Sequence, residues 1–381
     1  MSQLPKENAN TLLRSTLRGD GLRAILQALR IHTKLTRSEI ARMLKVSPAT
    51  VSHWVQDLLD GDWVVESDGK AWTPGRPSSC LTLNPNAANA LVADVTHDGI
   101  EIAMVNFIGE VVARENIEEP MADFTTGSNL LLSKLRSWIA NPNGIEISGV
   151  SLVFPGIWND VTRNLLFSSS LPGWVGMDIP THSLGIPVIV DNDANSAAVG
   201  EAWFGEQVDT TNALVVLLRW GIGSAVLHAR DIFGGSRNGA SGLGHMIVAN
   251  EPDAPLCDCG NQGCLEAVVG RTMRRVLGRT GSPGDVDDSE MQSIVTLLGS
   301  ATANMVNLLG IQEIVMIGDS LTNAPALWEM WVQETRRLIM PHMMHSVRFR
   351  RSALGERAAI LGGAWNVFNQ VLGILDKREA L

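Results

Sequence analysis

The chain has 381 residues and a formal net charge of −10, too long for one ordinary hydrophobic core and enough for two or three domains. It holds no run of about 18 uncharged apolar residues, and its first residues, MSQLPKENANTLLRS, lack the apolar core of a secretory signal, so a soluble, cytoplasmic protein with no membrane partner is expected. Four cysteines, three of them between positions 257 and 264, exclude a disulfide framework spread along the chain and suit either a reducing compartment or a metal.

The charge is divided unevenly. Residues 1–80 carry 11 Lys and Arg against 8 Asp and Glu, whereas the rest carries 19 against 32, so a polyanionic partner is expected at the N-terminal head. In LRAILQALRIH, residues 22–32, Leu22, Ile25, Leu26 and Leu29 fall at helical spacing. Thr36 with Glu39 makes a capping box, and Ile40, Met43 and Leu44 form the apolar stripe of the short helix it opens. Val46 lies in the turn that follows. Ser47 caps a third helix, with Pro48 at its first position, that runs to about Leu59. Thr50, Ser52 and His53 lie on its outer side, and Val51, Val55, Leu58 and Leu59 on its buried side.

Two short helices joined by a tight turn, the second opening on small polar residues, set a helix N-terminus into the major groove of double-stranded DNA. Thr36, Arg37, Ser47, Ala49, Thr50, Ser52 and His53 are the candidate contacts. WVVESDGKAWTP then reads as two short strands around a Ser-Asp-Gly-Lys turn, which gives a winged helix-turn-helix. A three-helix protein-interaction domain is the rival reading. Within GRPSSCLTLNPNA, Arg76 is either a phosphate or minor-groove contact or an ordinary linker arginine. Asn84-Pro85 marks a domain boundary.

From residue 90 apolar runs alternate with helix-length segments. ALVADVTHDGIEIAMVNFIGEVVARENIEE reads as three strands, followed by a helix at about 127–140 and the strand ISGVSLVFPG. In GIPVIVDNDANSAAVGEAWFG a buried strand IPVIV carries DNDAN at its carboxyl end, and SAAVGEAWFG begins a helix. Further strands start at NALVVLLRWGIGSAVLHARDIFGG. EIVMIGDSL is a strand running into a turn, and ERAAILGGAWNVF a closing helix. Such units repeated around a cleft suggest an α/β, actin-like (ribonuclease H-like) two-lobed body with ligand chemistry at strand ends. The expected division is residues 1–85 for the DNA-binding head and linker, 86–198 for a first lobe and 199–381 for a second.

The winged head, GRPSSCLTLNP, PG at 155–156, DNDANSAAVGE, GIGSAV, GHMIV and CDCGNQGCLE together resemble the ROK family of sugar-responsive repressors and sugar kinases, over essentially the whole chain. The transcriptional-regulator branch, with its xylose and N-acetylglucosamine repressors, is the nearer likeness. Cys257, Cys259 and Cys264 have the form C-x-C-x4-C, and Gly260 and Gly263 free the backbone to wrap one centre. A redox pair would leave the third cysteine and both glycines unexplained. Three thiolates and an imidazole make a closed tetrahedral zinc set, and the resemblance supplies His245 as the fourth ligand of a structural Zn2+.

The resemblance also implies a sugar site of Gly156, Asn192, Asp193, His245 and Glu266, with Asp193 at the position where the family's kinases hold a general base. From the residues alone, Asn192-Asp193 reads either as a pair that binds hydroxyls or as a helix cap. ROK kinases carry a DxGGT phosphate turn, where this chain has Asp94-Val95-Thr96-His97-Asp98. Trp220 is bulky in a second phosphate turn, and Asp319 replaces a glycine in a third. Gly242 stands where the family often has a hydroxyl-binding glutamate. The expected protein is therefore a non-catalytic, sugar-responsive regulator, a repressor by the resemblance. It acts as a homodimer or homotetramer on a DNA operator, with a protein effector the alternative partner and an active sugar kinase with a DNA-binding head the alternative function.

Overall fold

A computed structural model of the chain describes residues 20–67, 79–140, 145–205, 212–233, 242–276, 287–318 and 325–373. Arg76 and Asp319 lie outside the described residues, as does the expected second wing strand around residues 71–74.

The head is three helices and a small sheet. Helix α1 (Asp20–His32) buries Leu22, Ile25, Leu26 and Leu29, as the spacing predicts. Strand β1 (Leu35–Thr36) leads into α2 (Arg37–Leu44). There the Thr36 side chain accepts from the Glu39 amide while Glu39 reaches back to the Thr36 amide, the expected capping box. The expected stripe is corrected at one position: Ile40 and Ala41 are buried, whereas Met43 is 41 % exposed, because a two-turn helix presents only a narrow face and Ala41 takes the second buried place on it. Helix α3 (Pro48–Asp60) starts on the Ser47 cap and buries Val51, Val55 and Leu58, with Leu59 half-buried.

The wing sheet also departs from expectation. Strand β2 (Val64–Ser67) pairs antiparallel with β3 (Cys80–Leu83), in the register Val64↔Leu83 to Ser67↔Cys80, and β1 adds to the other edge of β3. The CLTL segment, read from sequence as linker, is thus the central strand of the sheet. Its alternation explains this: Leu81 and Leu83 are buried on the head core, and Cys80 and Thr82 are less so.

The body holds two five-stranded sheets. In the first, β4 (Asn89–Val95), β5 (Ile100–Asn106) and β6 (Val111–Ile117) form an antiparallel meander, after which helix α4 (Phe124–Ala140) crosses to β7 (Gly149–Phe154). A hairpin, β8 (Ile157–Asn159) and β9 (Asn164–Phe167), projects from this sheet, and β10 (Val188–Asn192) closes the order β10-β7-β4-β5-β6. Helix α5 (Asp193–Phe204) leads to the second sheet. It contains β11 (Asn212–Leu218), β12 (Ile222–His228) and β13 (Asp231–Ile232), then helices α6 (Leu265–Val276) and α7 (Asp288–Leu309), β14 (Glu313–Ile317), α8 (Pro325–Leu338) and β15 (Arg348–Arg351). Helix α9 (Arg357–Leu372) ends the described chain. The architecture is the expected α/β one of a winged head on a two-lobed body.

Helices α5 and α9 pack against each other between the sheets. A Cβ on Gly200 would lie 2.0 Å from the Ala358 carbonyl oxygen, and one on Gly362 would lie 1.6 Å from that of Ser196. The two helices therefore touch backbone to backbone, which no larger residue permits. Among the described residues no helix is long and apolar enough to cross a membrane.

Candidate ligand cleft and metal centre

The carboxyl ends of β4 and β10, the β8–β9 hairpin and the β11–β12 turn enclose a cleft of about 1000 Å³ between the lobes. Strand β10 ends at Asn192, two residues further than the sequence reading placed it, and is half-buried rather than buried, and α5 begins at Asp193 rather than Ser196. The cause is local. Asn192 Oδ1 accepts from the amides of Ala194 and Asn195, capping the helix, and its Nδ2 donates to the Gly156 carbonyl at 2.9 Å and to Asp193 Oδ1 at 3.0 Å. The helix-cap reading of this pair is met, and Asn192 also lines the cleft with Gly156 and Asp193.

Asp193 is 9 % exposed. Burial pushes its carboxyl up to about 6, the nearby Arg219 guanidinium pulls it down, and Asp94 pushes it up again. An acid whose folded value is raised stabilises the fold below the ordinary carboxylate range and loses that contribution as pH climbs through about 6. A ligand hydroxyl that donates to the carboxylate should gain affinity over the same interval. Titration calorimetry between pH 5 and 7.5 should therefore show tighter binding at the higher pH, and Asp193→Asn should flatten the dependence. A wild-type curve that is flat across this window rejects the assignment.

Facing Asp193 across the cleft, Glu266 at the start of α6 accepts from the Ile222 amide at 2.6 Å. Arg219, at the end of β11, sits between the lobes. Its guanidinium is 2.8 Å from Asp94 Oδ2 and 3.1 Å from Asp94 Oδ1, and its Nε is 2.9 Å from Glu356 Oε2. Burial alone would lower this guanidinium, but Asp94 and Glu356 raise it above the usual arginine range. Beside it Trp220 stacks on His97 with ring centroids 4.1 Å apart, and Arg274 lies 5.1 Å over the Trp220 ring. Burial, and next Asp94, push the Glu101 carboxyl upward. The two phosphate turns of the resemblance are thus occupied by a stacked ring pair and an ion pair, with carboxylates of Asp94, Asp98, Glu101 and Glu356 lining the same end. A polyphosphate entering it would face like charge.

The metal centre lies behind His245. His245, Cys257, Cys259 and Cys264 place their ligand atoms within 4.8 Å of one another. His245 Nδ1 is 3.5 Å from Cys257 Sγ, and Cys259 Sγ is 3.5 Å from Cys264 Sγ. That separation is far beyond a disulfide bond of about 2.05 Å, and all four cysteines are free. Burial and the neighbouring thiols push Cys264 up to about 12. Burial raises Cys257 as well, whereas burial of Cys259 is outweighed by hydrogen bonds from Asn261 and the other thiols, which lower it; a shared cation would favour all three thiolates, so the donor set fits a metal and His/Cys3 chemistry. Gly263 makes the fold-back possible: its φ is 76°, and a Cβ there would lie 1.8 Å from the Ala249 carbonyl oxygen.

The His245 ring meets Phe167 edge-on at 5.2 Å, so one imidazole bridges metal cluster and cleft. Phe167, Trp158 and Arg163 of the β8–β9 region line the cleft as well; sequence reasoning missed all three, because only the folded hairpin brings them over the strand ends. Gly242 leaves space, since a Cβ there would meet only His245 carbons, at 3.5 and 3.8 Å.

In the head the predicted contacts divide. Thr36 and Ser47 are engaged as caps, and Ser52 Oγ donates to the Pro48 carbonyl at 2.9 Å. Arg37 is hydrogen-bonded to Glu66 of β2. Ala49, Ser52 and His53 are exposed, with Thr50 half-buried, on the outer face of α3.

A model of the ROK family matches residues 92–370. The chain belongs to the ROK family. It is 24 % identical to a protein named xylose repressor from Caldicellulosiruptor bescii, covering 91 % of this chain and 95 % of that protein. It is 28 % identical to a glucokinase from Halalkalibacterium halodurans, over 73 % of this chain and 94 % of that one. Among solved structures, a ROK family transcriptional regulator described as a homologue of the Escherichia coli MLC protein superposes with a TM-score of 0.72, at 20 % identity over 96 % of this chain and 97 % of the other. The glucokinase match thus covers 73 % of this chain, against 91 % for the repressor and 96 % for the regulator.

Proposed function

We propose that this ROK protein is a sugar-responsive, DNA-binding transcriptional repressor whose kinase-like body senses a ligand without phosphorylating it. The observation that carries this is the division of the cleft. Gly156, Asn192, Asp193, His245 and Glu266, which the resemblance makes hydroxyl contacts, line one end of it, with Gly242 in place of one further contact, and its other end is filled by Arg219–Asp94–Glu356 and His97–Trp220. The outer face of α3, with Ala49, Thr50, Ser52 and His53, enters a major groove of the operator, and Arg37 and Arg76 serve the phosphates or the minor groove. A homodimer or homotetramer pairs two heads on two half-sites. Zn2+ in the His/Cys3 cluster has a structural role, because four protein donors saturate a tetrahedral ion and leave no position for a reactive water.

The test is selection of duplexes from a randomised pool by the purified full chain, followed by affinity measurements as a function of salt. Contacts to six or more phosphates should reduce affinity by about a thousandfold or more between 50 and 200 mM salt. D-xylose, D-glucose and N-acetyl-D-glucosamine are then screened by thermal shift, where a ligand at 100 times its Kd adds roughly 2.7 kcal/mol. ATP turnover with any of these sugars, abolished by Asp193→Asn, overturns the sensor reading. Gly242→Glu should tighten binding of a responding hexose by about tenfold, the effect of one added hydrogen bond to a charged group. Unchanged or weaker binding rejects Gly242 as the vacated hydroxyl contact.

A further inference from the structure

Arg30 lies two residues from the C-terminal end of the first head helix, on a face that the head itself does not use. Its neighbour Leu29 packs into the head core at 1 % exposure, while Arg30 turns to the body. The guanidinium carbon is 5.0 Å from the Phe107 ring centroid, 5.0 Å from that of Phe204 and 4.9 Å from that of Trp365, and Nη2 donates to the Phe107 carbonyl. Among the described residues no carboxylate pairs with it. Burial pulls the guanidinium down to about 9 with no opposing charge to hold it up.

A cation left in such surroundings without a counter-ion is costly, so the residue type calls for a reason. The rings supply it: three aromatic faces offer negative charge density, the planar guanidinium can stack on them, and the carbonyl takes one of its protons. The cage is also rigid. Trp365 stacks on Trp203 at 4.2 Å and Phe107 packs edge-on against Phe368 at 5.4 Å. Each ring comes from a different body element: Phe107 follows β5, Phe204 is the last residue of α5, and Trp365 lies in α9. Helix α5 is the one whose first residue, Asp193, lines the cleft.

We propose that Arg30 is the positioning residue of the head: inserted into the Phe107–Phe204–Trp365 cage, it fixes the direction in which the recognition helix points relative to the body. Trp63 packs on Phe107 nearby, at 5.4 Å and edge-on, and supplies adhesion. An apolar contact of that kind tolerates sliding, whereas a fork held by three rings and a carbonyl does not. Arg30 therefore governs orientation, and Trp63 attachment. The DNA arm of the test rests on the function proposed above, and the geometric arm does not.

The experiment uses the full chain with spin labels attached through ketone side chains at the exposed positions 56 on the head and 146 on the body, which leaves the cysteines untouched. Pulsed dipolar spectroscopy should give one narrow distance distribution for the parent chain and for Arg30→Lys a distribution only slightly broader. Arg30→Gln and the milder Phe204→Leu should give clearly broadened ones. The duplex selected by the parent chain should bind Arg30→Gln at least tenfold more weakly and Arg30→Lys with an intermediate loss, while zinc content and thermal midpoint of the body stay unchanged. If Arg30→Gln and Phe204→Leu both keep the parent distance distribution, the positioning role is overturned. If no duplex is selected by the parent chain, the DNA-binding reading fails while the distances still decide the role of Arg30.

Discussion

Cys259→Ser is expected to lower bound zinc from about one ion per chain to none, and to reduce thermal stability and ligand response together. Between His245 and Leu265 the chain forms no helix or extended strand and is folded back by backbone bonds such as Val248 N to Gly263 O at 2.9 Å, Cys257 N to Asn261 O at 2.8 Å and Leu265 N to Met246 O at 2.8 Å. A metal held by His245, Cys257, Cys259 and Cys264 would add a further closure to the loop. Structural zinc contributes about 10–16 kcal/mol in small peptides that fold around it. In this body only one loop depends on the ion, so a fall of about 5–10 °C in Tm is the expected scale, at roughly 2–4 °C per kcal/mol. His245 and Glu266 flank the loop and line the cleft, so the ligand-induced thermal shift should vanish in the variant. A variant free of zinc by elemental analysis that keeps both parent midpoint and ligand shift would falsify the structural role.

Arg219→Ala should have the second large effect, a loss of about 3–5 kcal/mol, because removing one partner of a buried pair leaves the other charge uncompensated. The Asp94 side chain is 3 % exposed and that of Arg219 12 %, so solvent cannot make good the difference. Asp193 should titrate above its present value of about 6 in this variant, since Arg219 is the group that holds it down. Chemical denaturation with linear extrapolation reads the first effect, and carboxyl NMR of Asp193 the second. Adding Asp94→Asn should recover part of the stability, because the stranded charge is then gone. A single Arg219→Ala loss below about 1 kcal/mol would mean that the pair is weakly coupled to folding, as surface pairs are.

What could be read from the sequence was what depends on neighbours in the chain. The Thr36–Glu39 box, the Ser47–Pro48 start of α3, the Asn192 cap and the C-x-C-x4-C turn with Gly263 are all settled within a few residues, and the motif that ties them together pointed to the family. Legibility failed where partners come from far apart. Arg219 and Glu356 are 137 positions apart, and Arg30 and Phe107 are 77 apart. Composition marks neither pair, because an arginine on a helix or after a strand looks the same whether it meets water, a carboxylate or three rings. Trp220 was legible as an obstacle in a phosphate turn, but not as the partner of His97. The wing failed for a different reason. CLTL alternates as a strand should, but its place after GRPSS suggested a linker, and only the pairing with Val64–Ser67 reveals it as the centre of a sheet.

That pairing bears on how the molecule is joined. Strand β3 belongs to the head, and the residues that leave it are fastened on both sides: the Asn84 amide donates to the Trp63 carbonyl at 2.9 Å, and the Phe107 amide to the Pro85 carbonyl at 3.1 Å. The junction is stitched rather than slack. A protease would find no loose strap at positions 84–86, and a head cut away at this point would expose Trp63, now fully buried, to water. Head and body are in this sense parts of one folded unit.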